Sequence, residues 1–145
     1  MAANRIIRSA DDSDARIISD RTVSGALLPA TGVVVGATTL TQATAVTGGL
    51  LALLANRDFY ALLASTTEPL LTPYVSGETG LAVMLKPDLQ VVWAMAAGTY
   101  TKGQELTIGA GGRLTAAAAT NVVVAFFDQA GATLNAGDLA DVLIA

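Results

Sequence analysis

The chain of 145 residues has no cysteine and no histidine. Without cysteine no disulfide can staple the fold, so its core, its subunit contacts or both must stabilise it. Without histidine, Ser-His-Asp and Cys-His catalysis, the usual zinc sites and the commonest general base near neutral pH are excluded. Charge is scarce too: 14% of residues are charged, against about 25% in ordinary soluble domains. Aromatic residues make up 5%, few for a protein that would stack sugars. No apolar run reaches the ~18–20 residues of a membrane-spanning helix. The longest are Leu50 to Ala55 and Leu89 to Ala97, the latter broken by Gln90. The N-terminal arginines are not followed by an apolar stretch, so no secretory signal is expected.

What remains is 52% hydrophobic, much of it alanine and valine. A chain this short of charge leaves apolar, small-residue surface in water, and contiguous patches of that kind mark interaction surfaces. A subunit that turns its surface to neighbours is the expectation. The net charge is −4 with no basic block, which argues against nucleic acid as a partner. Eight of the twenty charges fall in the first 21 residues, and none lies between Thr22 and Asn56. Residues 1–21 therefore read as an arm and residues 22–145 as a single β domain. Ile6-Ile7 and Ile17-Ile18 are the arm's apolar pairs. It either orders against a neighbouring subunit or is a frayed end before a first strand.

The rest reads as short strands cut by turns, the mark of a small sandwich or barrel. Val23 to Leu28, Val33 to Val35, Thr38 to Thr41, Glu105 to Ile108, Arg113 to Thr115, Asn121 to Phe127 and Leu139 to Ile144 are expected strands. Leu81 to Lys86 and Leu89 to Ala96 are expected to pair as a hairpin across Pro87-Asp88. Residues 50–65 fit either a helix or two strands around Asn56-Arg57-Asp58. Thr66 to Gly80, with two prolines and two glycines, is a loop or edge segment. GVVVGATTLTQATA at Gly32 to Ala45 echoes ELTIGAGGRLTAAA at Glu105 to Ala118. In so restricted an alphabet the echo supports only two hairpins of one kind.

No constellation for chemistry appears. Gly109 to Gly112 lacks the Lys-Ser/Thr of a phosphate loop and reads as a hairpin turn. Asp11, Asp12 and Asp14 lack the spacing of a calcium loop, and Arg8 and Arg16 balance them. Lys86 and Lys102 sit in turns and look exposed. Trp93 reads as core filling. Tyr60, Tyr74, Trp93 and Tyr100 would be the platforms of a carbohydrate- or receptor-binding sandwich of a phage fibre or tail, the alternative function. No catalytic residue, cofactor or metal is expected.

The run AAGTYTKGQELTIGAGGRLTAA, followed by a valine strand and the terminal AGDLADVLIA, resembles decoration (cement) proteins on the heads of tailed bacteriophages. The resemblance is firmest from about Leu81 to Ala145. It implies an all-β fold, a compact β-barrel or jelly-roll-like sandwich of short antiparallel strands, and favours strands over residues 50–65. It also implies a structural virion protein on the outer surface of the capsid. Such a protein binds the major capsid protein and its own copies, as a dimer or trimer, and stabilises the expanded head. Arg5, Ile6, Ile7 and Arg8 are the expected capsid or neighbour contacts.

Overall fold

A computed structural model describes Ile6 and residues 16–46, 50–56 and 69–145. Among the described residues twelve strands follow one another: β1 (Ile17–Val23), β2 (Gly32–Val35), β3 (Thr39–Gln42), β4 (Leu51–Leu54), β5 (Thr79–Met84), β6 (Gln90–Ala94), β7 (Gly98–Tyr100), β8 (Glu105–Ile108), β9 (Leu114–Ala116), β10 (Ala125–Phe127), β11 (Ala132–Leu134) and β12 (Leu139–Ile144). Two short 3-10 turns, Pro69–Leu71 and Ala110–Gly112, are the helical elements among the described residues. The all-β expectation holds.

Ten of these strands form two units, and β7 and β11 pair separately as a two-stranded antiparallel ribbon. In the first, β1-β3-β2-β4-β5 close into a barrel. All its pairings are antiparallel except β1 with β3. In the second, β6-β12-β10-β8-β9 form a five-stranded antiparallel sheet, and a single parallel bridge from Met95 to Leu114 joins its two ends. Strand for strand the topology is the same, with β6, β8, β9, β10 and β12 in the places of β1 to β5.

The register matches as well. Val33, Val34 and Val35 oppose Gln42, Thr41 and Leu40, as Leu106, Thr107 and Ile108 oppose Ala116, Thr115 and Leu114. Leu54 faces Ala82 as Phe127 faces Val142. The parallel closure Val23–Leu40 corresponds to Met95–Leu114. The turns before the last strands also agree. Glu78 N–H donates to Val75 O and Asp138 N–H to Asn135 O, while Gly77 and Gly137 hold φ of 93° and 92°. The faint echo between Gly32–Ala45 and Glu105–Ala118 thus marks the same hairpin in two units.

Period-2 alternation explains the cores. Val23, Val33, Val35, Leu40, Ala52, Leu54 and Ala82 point into the first barrel. Their counterparts Met95, Leu106, Ile108, Leu114, Ala125, Phe127 and Val142 are all buried in the second. A tyrosine and a leucine add to each interior, in exchanged positions: Leu27 with Tyr74 in one, Tyr100 with Leu134 in the other. Tyr100 stacks on Phe127 at 5.5 Å and donates its hydroxyl to Ala96 O at 2.8 Å. Burial pushes its phenol above the ordinary value of 10.0, and a hydrogen bond with Thr115 offsets part of the rise. The stability this burial contributes is complete below pH 10 and is lost as pH rises through the higher folded value. Melting temperature should therefore fall on alkaline titration. Tyr100→Phe should flatten that fall; an unchanged profile in the variant would contradict it.

Several expectations change. Pro87-Asp88 forms a turn, with Asp88 at φ 69°, but β5 and β6 do not pair. β5 lies between β1 and β4, and β6 pairs with β12, so this turn carries the chain from one unit to the other. The strand expected over Val23 to Leu28 instead ends at Val23, and β1 crosses the expected arm boundary by starting at Ile17. The strand expected over Asn121 to Phe127 shortens to Ala125–Phe127. Within residues 50–65, Leu51–Leu54 is a strand; residues 57–65 lie outside the described residues.

Candidate interaction surface

The two units are joined where the β8–β9 turn of the second meets the β2 start and β3 end of the first. Ala94 N–H donates to Ala30 O at 2.7 Å. Trp93, fully buried, donates Nε1–H to Gly112 O at 2.9 Å. Gln42 Nε2 donates to Gly32 O at 2.7 Å and to Thr31 Oγ1 at 3.1 Å. Thr31 in turn donates to Leu28 O at 2.7 Å. The Trp93–Gly112 hydrogen bond is buried and the Thr31 and Gln42 bonds are partly buried, so each offsets a desolvation cost, the first most fully.

Two glycines make the approach possible. A Cβ on Gly32 would lie 3.0 Å from Ile108 Cδ1 and 3.2 Å from Trp93 Cζ2. A Cβ on Gly112, whose φ is 67°, would lie 2.5 Å from Gly32 O and 2.8 Å from Gly32 N, with Gln42 Nε2 closer still. The joint is a plug (Trp93 and the β8–β9 turn) seated in a socket (Ala30 to Gly32 with Gln42). One hydrophobic cluster runs through it, taking in Ala30, Ala43, Leu53 and Val83 from the first unit with the second unit's interior.

Of the expected contact residues, Ile6 is described. It is buried at 6% exposure, and its carbonyl accepts from Val92 N–H at 2.8 Å. It covers the outer edge of β6 within this chain. Arg5, Ile7 and Arg8 lie outside the described residues, as do Asp11, Asp12, Asp14 and Tyr60. Trp93, Tyr74 and Tyr100 are at most 2% exposed, so they offer no ring face to a sugar. Trp93 fills the core as expected, with a role in the joint that its lone position in sequence did not reveal. Lys102 is exposed and pairs with Asp128 at 2.7 Å. Asp141 lies on β12 between β6 and β10.

Large apolar side chains remain in water at Ile17, Leu28, Leu50, Leu71, Val75 and Val122. Leu50 adjoins the β2–β3 turn, because Val35 N–H donates to its carbonyl. Val122 follows the turn Ala118–Asn121, which leaves β9 beside Glu105. Sequence composition anticipated exposed apolar surface; which residues carry it depends on the fold.

No family model matches the chain, and no curated protein matches it in sequence. Among solved structures, it is similar to the head fibre gp8.5 N base of bacteriophage phi29. The TM-score is 0.53 at 12% identity, over 90% of this chain and 94% of that one. The likeness is one of fold, and it spans both units.

Proposed function

We propose that this chain is a structural virion protein of a tailed phage. It attaches as an oligomer to the major capsid protein on the outer surface of the head, stabilises the expanded shell, and acts without enzymatic activity or cofactor. The observation that carries this reading is fold similarity to a phage head fibre base over nearly the whole of both chains. The segment Leu81 to Ala145, which resembles cement proteins, supports the finer role in stabilising the head. Exposed apolar residues on a surface poor in charge suit a subunit that contacts neighbours. Many weak contacts then add through multivalency once one subunit is docked.

Co-sedimentation with expanded, undecorated heads of the parent phage tests this, with unexpanded heads as the control. Saturable binding to expanded heads at a fixed ratio to the capsid protein is expected. A folded protein that binds neither form would overturn the reading. For the arm, Arg5→Ala with Arg8→Ala should weaken attachment and leave the melting temperature unchanged. These substitutions test the contact better than deletion of residues 1–8, which would also remove Ile6 from the core at a cost of about 1.5–3 kcal/mol.

A further inference from the structure

The joint between the units has two halves, and each unit carries both. The second unit's plug and the first unit's socket are used up inside the chain. The first unit's plug and the second unit's socket make no such contact among the described residues. Of the plug's groups, Thr22 N–H, the counterpart of Ala94 N–H, donates to Thr38 O at 3.1 Å in its own unit, which leaves the Arg21 side chain and the turn face for a neighbour. The register identifies them. Arg21 and the turn after β2 occupy the places of Trp93 and the turn after β8. Each side chain donates to a carbonyl of its own turn, Arg21 Nε to Gly36 O at 2.9 Å at the start of one and Trp93 Nε1 to Gly112 O near the end of the other. Gly103, Gln104 and Glu105 occupy the places of Ala30, Thr31 and Gly32. Ala30 and Gly103 share positive φ, 61° and 84°. Ala30 N–H donates to Leu54 O as Gly103 N–H donates to Phe127 O. Where Ala30, Thr31 and Gly32 are buried, Gly103 and Glu105 are exposed; Ala37 and Thr38 in the free turn are exposed too.

We propose that a second copy of this chain fills the open socket with its free plug, so that copies associate head to tail. The residue exchanges at the contact support this occupant. In the internal joint, an indole passes over a glycine at whose place a Cβ would lie 3.2 Å from the ring. In the open pair, Arg21 replaces the indole and Glu105 replaces the glycine, so an ion pair takes the place of the Trp93–Gly32 contact. The flanking charges also include one of each sign, Asp20 beside Arg21 and Lys102 near Glu105. Apolar surface is exposed on both sides, at Leu50 (58%) beside the plug and Val122 (61%) near the socket. A head-to-tail contact of this kind closes into a ring or continues as a filament, according to the rotation between copies. It requires no capsid, so it stands or falls separately from the capsid role.

Sedimentation velocity of the full chain across the micromolar range, at low and moderate salt, tests the pairing. The wild type should associate. Arg21→Glu and Glu105→Arg should each weaken association on the order of tenfold or more, and the double variant should regain it. A monomeric wild type, an assembly indifferent to both reversals, or a folded double variant that stays dissociated would overturn the proposal. The cysteine-free chain allows a second test that leaves these charges in place. Thr38→Cys sits at the turn position corresponding to Gly112, and Ala116→Cys at that of Gln42. Mixed under mild oxidation, these two variants should form a disulfide-linked dimer that neither forms alone; failure to cross-link would count against the contact.

Discussion

Replacing Gly112 by alanine should destabilise the protein by about 3 kcal/mol or more, the combined scale of positive-φ strain and overpacking. The added methyl meets Gly32 O and N at 2.5 and 2.8 Å. Those are backbone atoms and cannot rotate away as a side chain would. Relief requires the β8–β9 turn to lift from the start of β2, which would break the Trp93–Gly112 hydrogen bond and admit water to the joint. Urea denaturation with paired tryptophan fluorescence and circular dichroism checks this. Trp93 is the chain's only tryptophan, so its emission reports the joint directly. A loss below about 1 kcal/mol, with unchanged emission, would mean that the turn is not locked against β2. Gly111→Ala is the matched control. It shares a positive φ of 68° but meets only the flexible Arg113 side chain beyond 3.5 Å, so it should cost about 1 kcal/mol, from the backbone alone.

Trp93→Ala should cost about 3–5 kcal/mol, the range for emptying a fully buried aromatic site. Trp93→Phe separates the two contributions of the indole. It keeps most of the apolar volume but removes Nε1–H, leaving Gly112 O unpaired in a dry joint at about 1–3 kcal/mol. The phenylalanine variant should therefore lie between wild type and alanine in chemical denaturation. Equal stability of the phenylalanine variant and wild type would show that Gly112 O finds another donor. Because one cluster spans both units, both variants should unfold in a single transition rather than releasing one barrel first.

The strands ending in hard turn signals were readable from local pattern. Glu105–Ile108 and Leu139–Ile144 appear with the expected ends, because alternation and flanking glycines fix them locally. The β2–β3 and β8–β9 hairpins were also legible, since a hairpin joins neighbours in sequence. Boundaries slipped where nothing local stops a strand, as at Val23, where β1 ends because its antiparallel partner β5 reaches its terminal residue Thr79 opposite Thr22. The supposed β5–β6 hairpin failed for a related reason. Proline followed by aspartate specifies a reversal, but not whether the next strand returns to the same sheet. Trp93 was legible as core and not as the hinge of a joint, because its partner Gly112 is 19 residues away.

By itself, then, the sequence determined composition-level properties: an all-β class, the absence of histidine and cysteine chemistry, a surface short of charge, and the hairpins within each unit. These follow from residue type and short-range pattern. Only the tertiary structure decided that the strands form two units of one topology and that Gly32 and Gly112 meet. It alone placed Arg21 in register with Trp93 and Glu105 in register with Gly32. Such relations are set by pairing between distant strands, and the two units share so few side chains that the likeness survives in hydrogen-bond register and burial rather than in letters.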